Sequence, residues 1–85
     1  MDHRQELEVL IELAAVGNMR RAADVLGVSQ STVSDVVTRL EAAYGAALFE
    51  RGRRGSRPTV YGRLVVEAAT QALRLMQEAQ REIDL

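Results

Sequence analysis

A mainly α-helical fold, four helices with one short hairpin ahead of the last, is predicted by three features of the sequence. Apolar residues recur at three- and four-residue spacing through most of the 85 residues, glycines divide them into separate runs, and one stretch rich in glycine and arginine loses the helical period before the final run. A chain of this length hides about 60 to 65% of its unfolded surface, enough for one core.

The first helix lies where Leu7, Leu10, Ile11 and Ala14 repeat at i, i+3, i+4 and i+7, with Asp2 as its candidate cap and Gly17 as its stop. Asn18 caps a short second helix through Arg21, Ala22, Ala23, Val25 and Leu26, which Gly27 ends by taking left-handed backbone without a Cβ penalty. Ser29 caps a third, with Val33, Val36, Val37 and Leu40 inward and a fading end near Ala43 and Gly45. Between Leu48 and Thr59, Gly52, Gly55 and Ser56 supply turn chemistry and Pro58 restricts the segment to an edge strand or loop, which predicts a hairpin, or wing. Thr59 then caps a last helix of about 26 residues.

Composition narrows the function. Hydrophobic residues at 47% and charged residues at 27% describe a globular protein rather than a disordered tail or a membrane span. Met1 is followed by Asp2, His3, Arg4, Gln5 and Glu6 where a secretory segment needs an apolar stretch, so the chain is expected in the cytoplasm. Without cysteine, and with His3 as the one histidine, neither a disulfide framework nor a metal site is expected, and no cofactor. Nor is an enzyme expected, because no nucleophile elbow, phosphate loop ending in Gly-Lys, or histidine beside Ser and Asp is present.

The net charge of −1 conceals a division along the chain. Residues 1–18 and 64–85 are acidic, whereas residues 19–63 carry eight arginines against four acids. Arg51 to Arg63 holds five arginines and no acid, and every cation of the chain is arginine rather than lysine. A local basic block on a near-neutral protein points to a directed anionic partner.

The most specific signal runs from Ala22 to Leu40. Two helices that cross closely need a small residue at the crossing, then a sharp turn, then an apolar residue dropped into the core before a capped second helix. Ala23, Gly27, Val28 and Ser29 meet those demands in order, with Val33 opposite Ala23. The spacing suits a helix-turn-helix, and with the hairpin a winged one; a three-helix domain with an accidental Ala and Gly is the plainer alternative.

The run Arg21-Ala22-Ala23, Leu26, Val28-Ser29-Gln30, Val33-Ser34, Arg39-Leu40-Glu41, Gly45, Leu48-Phe49-Glu50-Arg51 and Thr59 with Gly62 resembles the N-terminal DNA-binding domain of LysR-type transcriptional regulators, over about Leu7 to Gly62. The resemblance implies a winged helix-turn-helix over residues 1–58 and a linker, or dimerisation, helix over 59–85. It further implies a homodimer joined through those helices, double-stranded DNA with an interrupted palindrome as partner, and a C-terminal effector-binding domain that is absent from this chain. The chain departs from that pattern at Met19, where an aromatic is usual, at Ser31 for proline, at Asp35 for a basic or amide residue, at Tyr44 for leucine and at Pro58 for leucine.

A helix that reads DNA presents its N-terminal turns to the major groove, where amides and the positive helix end favour phosphate and short polar side chains reach base edges. Ser29, Gln30, Ser31, Thr32, Ser34 and Asp35 form that end. Gln30 suits adenine N6 and N7, the hydroxyls suit phosphate or bases, and Asp35 suits cytosine N4. Each has a local alternative: Ser29 as a cap, Thr32 and Ser34 as solvated hydroxyls, and Asp35 as the ion-pair partner of Arg39. In the wing, Arg53 and Arg54 flank a turn that could enter a narrow minor groove, while Arg51 and Arg57 are placed for phosphates; a solvated basic loop is the alternative. Arg20 and Arg21 open the second helix, where a phosphate would relieve their opposition to the helix dipole.

The last helix carries an apolar stripe, Tyr61, Val65, Ala68, Ala72, Leu75, Ala79 and Ile83, longer than a core of this size covers. A symmetric dimer would bury it, with the early part, Tyr61 to Val65, folding back on its own domain. The function expected is sequence-specific binding of double-stranded DNA by a transcriptional regulator. The rival is a dimeric protein-interaction module whose arginine-rich loop binds an acidic partner.

Overall fold

Short polar residues set where the helices begin in the computed structural model, which describes residues 3–84. The order is α1 (His3–Val16), α2 (Met19–Leu26), α3 (Gln30–Tyr44), β1 (Phe49–Gly52), β2 (Gly55–Pro58) and α4 (Val60–Ile83). The three side-chain caps expected here form: Asn18 accepts from the Arg21 amide, Ser29 from that of Thr32, and Thr59 from that of Gly62. Gly27 ends α2 at φ 69°, and its N–H reaches back to the carbonyls of Ala23 and Asp24. The expected cap at Asp2 lies outside the described residues.

The buried cluster takes Val9, Leu10 and Leu13 from α1, Ala22 and Ala23 from α2, Val33, Val36 and Val37 from α3, and Leu48 and Phe49 from the start of the wing. Ala23 and Val33 thus share the core, as a close crossing of α2 and α3 requires. The expected inward face of α1 needs correction. Leu10 is buried as anticipated, but Leu7, Ile11 and Ala14 are only part-buried and Val9 and Leu13 take the deepest places. The reason is that α1 packs against α2, α3 and α4 together, so its buried face is turned away from the simple stripe. Val25, assigned to the body of α2, is exposed.

β1 and β2 pair antiparallel, Phe49 opposite Pro58 and Gly52 opposite Gly55, with Arg53 and Arg54 at the turn. Main-chain bonds fix this wing at two places: near the turn, Ser56 N–H donates to the Gly17 carbonyl at 2.9 Å, and at the base Thr59 N–H donates to that of Leu48 at 2.9 Å. Two glycines allow the approach, because a Cβ on Gly55 would strike the Gly17 carbonyl oxygen and one on Gly62 that of Leu48.

α4 has 24 residues, two fewer than expected, and turns Gly62, Val65, Val66 and Ala69 to the rest of the fold. Tyr61 corrects the expectation that the stripe folds back from its first residue, since it is 60% exposed. Each residue advances about 100° around a helix, which leaves Tyr61 on the flank of the face defined by Gly62 and Ala69. No helix among the described residues is long and apolar enough to cross a membrane.

Candidate nucleic-acid interface

Three expected groups of polar residues meet on one side of the molecule. Asn18, Arg20, Gln30, Arg51 and Ser56 line an open groove of about 460 Å³ between the start of α2, the start of α3 and the wing. Arg51 Nη2 donates to Ser34 Oγ at 3.4 Å, a long bond that lays the guanidinium of β1 across the second turn of α3. Arg51, Arg53, Arg54 and Arg57 surround a second concavity, of about 230 Å³, on the wing, with Glu50 as the acid among them. Register places Glu50 opposite Arg57, yet no ion pair joins them within 4.0 Å. Arg21 is exposed on α2 but lines neither groove.

The first turn of α3 is a hydroxyl cluster. Ser29 Oγ accepts from Thr32 N at 3.1 Å and lies 2.8 Å from Thr32 Oγ1 and 3.1 Å from Ser31 Oγ. Ser29 and Thr32 are therefore engaged in capping, while Gln30, Ser31 and Asp35 are exposed. The alternative for Asp35, a pair with Arg39, is corrected: Arg39 Nη1 pairs instead with Glu6 Oε1 of α1 at 3.6 Å. Sequence reasoning passed over Thr38, exposed and seven residues beyond Ser31 on the same side of α3. It also passed over Glu41, whose carboxylate accepts the amides of Leu48 and Phe49 and ties α3 to β1. The i+3 spacing from Asp35 pointed to Thr38; nothing local pointed to Glu41, because its partners lie seven and eight residues on.

The expected dimer stripe divides. Val65, Ala68 and Ala72 line a groove of about 250 Å³ against Leu7 and Leu10 of α1 and Leu40 and Tyr44 of α3. Tyr61, Leu75, Ala79 and Ile83 face solvent, joined by Leu64, which is 64% exposed and absent from the expected stripe.

Residues 4–63 match the model of the bacterial regulatory helix-turn-helix proteins of the lysR family. The chain belongs to that family. This LysR-family chain is 44% identical over 78 residues to a small neutral protease regulatory protein of Streptomyces coelicolor, covering 92% of the chain and 24% of that protein. It is 38% identical over 80 residues to a probable HTH-type transcriptional regulator, LrrA, of Synechococcus elongatus, covering 94% of the chain and 27% of that protein. It also superposes on the crystal structure of a CbnR DBD–DNA complex with a TM-score of 0.90 at 33% identity, over 99% of this chain and 95% of that one. The LysR-family chain spans about a quarter of the length of the curated relatives it matches.

Proposed function

We propose that this chain is the DNA-binding part of a bacterial transcriptional regulator, and that it acts in the cytoplasm rather than as an enzyme. Residues 1–58 are the winged helix-turn-helix unit: α3 is the recognition helix in the major groove, and the wing lies beside it on the backbone or in the minor groove. Residues 59–85 are the dimerisation helix, which sets two recognition helices on an interrupted palindrome.

One observation carries the reading: the exposed polar residues of α3 and the arginines of the wing lie side by side, linked by the bond from Arg51 to Ser34. Gln30 and Ser31 then face base edges. Arg20, Arg21, Arg51 and Arg57 supply phosphate contacts, Arg53 and Arg54 reach from the wing tip, Ser29 and Thr32 hold the first turn in place, and Ser34 ties α3 to Arg51 of the wing. The likeness to a domain solved on DNA supports the same assignment.

A gel shift on duplex DNA over a salt series tests it. Log affinity should fall linearly with log salt, by about 0.9 per neutralised phosphate. Salt-independent binding, or binding to an acidic polypeptide but not to duplex, would overturn the reading.

A further inference from the structure

α3 turns Val33, Val36 and Val37 into the core, so Ser31, Asp35 and Thr38 form the opposite ridge, and all three are exposed. The flanks of that ridge are engaged elsewhere. Ser34 accepts from Arg51, Glu41 holds two amides of the wing, and Arg39, the cation one turn on from Asp35, is drawn to Glu6 on α1. Among the described residues the Asp35 carboxylate has neither an ion pair nor a hydrogen bond. The outermost ridge of the recognition helix therefore carries one negative charge that nothing in the fold neutralises.

A carboxylate in the major groove is repelled by the phosphates on either side and is held there only by a donor. Two base-edge donors exist. Adenine offers its N6 amino group beside the N7 acceptor, whose lone pair opposes a carboxylate, whereas cytosine offers N4 with no acceptor of its own on that edge. Resting on the DNA-binding reading above, we infer that Asp35 is a specificity-determining residue that accepts a hydrogen bond from N4 of one cytosine in each half-site. The bond selects a C·G pair at that position, and the repulsion from phosphate penalises every half-site lacking it.

Selection of preferred duplexes from a random pool, run in parallel on the chain and on Asp35→Asn and Asp35→Ala, tests this. Because Asp35 is exposed and unbonded within the chain, both variants keep the fold. The parent should select cytosine at one position per half-site; the Asn variant should change preference at that position alone, and the Ala variant should lose it. Replacing that cytosine with 2-pyrimidinone, which lacks the N4 amino group, should weaken the parent about 5- to 150-fold and leave Asp35→Ala unmoved. The same selected site for all three proteins overturns the proposal and leaves DNA binding standing, as does uniform tightening of both variants on every sequence. Failure of the parent to enrich any duplex overturns both readings.

Discussion

Glu41 of α3 accepts the backbone N–H of Leu48 on Oε2 at 2.8 Å, and the same oxygen lies 3.3 Å from the amide nitrogen of Phe49. A side chain of α3 thus holds the entry to the wing, and charge assistance strengthens both bonds. Glu41→Ala should lower the unfolding free energy by about 1 to 3 kcal/mol, since two part-buried donors lose their acceptor. Glu41→Gln keeps one carbonyl acceptor and should lose less, about 1 kcal/mol. Urea unfolding measures both, and equal stability of all three proteins would remove the anchor.

Gly62→Ala sets two effects against each other. Alanine favours a helix interior by about 1 kcal/mol over glycine. Its Cβ, however, would strike the Leu48 carbonyl, which cannot retreat without breaking its bond from Thr59 N–H. Overpacking of this kind costs about 1 to 3 kcal/mol and here meets backbone rather than a movable side chain, so a net loss is expected. A thermal midpoint several degrees lower should result, at about 4 to 8 °C per kcal/mol for a chain of this size. A midpoint at or above the parent's would show that the two segments part easily.

Substitutions along α4 should separate pairing from folding. Leu64→Glu and Leu75→Glu alter side chains that are each 64% exposed, so the monomer should stay folded while the dimer dissociation constant rises about 10- to 100-fold. Ala69→Glu instead buries a charge at a site 3% exposed and should unfold the chain. Sedimentation with circular dichroism distinguishes the cases; an unchanged dimer in both leucine variants would place the pairing surface elsewhere.

The wing tip offers a test of groove shape. Arg53→Ala with Arg54→Ala should weaken binding most where an A/T-rich flank adjoins the half-site, because a narrow minor groove concentrates negative potential. Titrations on paired duplexes differing only in that flank measure it. Equal losses on G/C-rich flanks would assign both arginines to phosphate alone.

Capping signals made the element boundaries legible: Asn18, Ser29 and Thr59 act within three residues of themselves, so sequence alone places them. Facing was harder to read. A helix in contact with three others has no single apolar stripe, and α1 therefore buries Val9 and Leu13 where periodicity favoured Leu7 and Ile11. On α4 the apolar residues serve two faces about a third of a turn apart, one closed within the chain around Ala69 and one left open at Leu64 and Leu75, and a one-dimensional pattern merges them. At the interface, residue types announced the polar end of α3 and the arginine wing. Which acid each cation meets was decided by tertiary placement, as the pairing of Arg39 with Glu6 shows.

The second strand of the wing is fastened by peptide groups, Ser56 to Gly17 and, just beyond the strand, Thr59 to Leu48, whereas the exposed surface of the hairpin carries the side chains of Arg53, Arg54 and Arg57. Aim and address are therefore carried by different parts of the chain. Replacing Arg53, Arg54 or Arg57 alters what the hairpin touches without altering where it points, provided that positions 55 and 62 stay free of a Cβ. Such a separation makes the hairpin a natural place to graft new flanking preferences onto an unchanged scaffold, and it marks the two glycines as the positions any such redesign must leave alone.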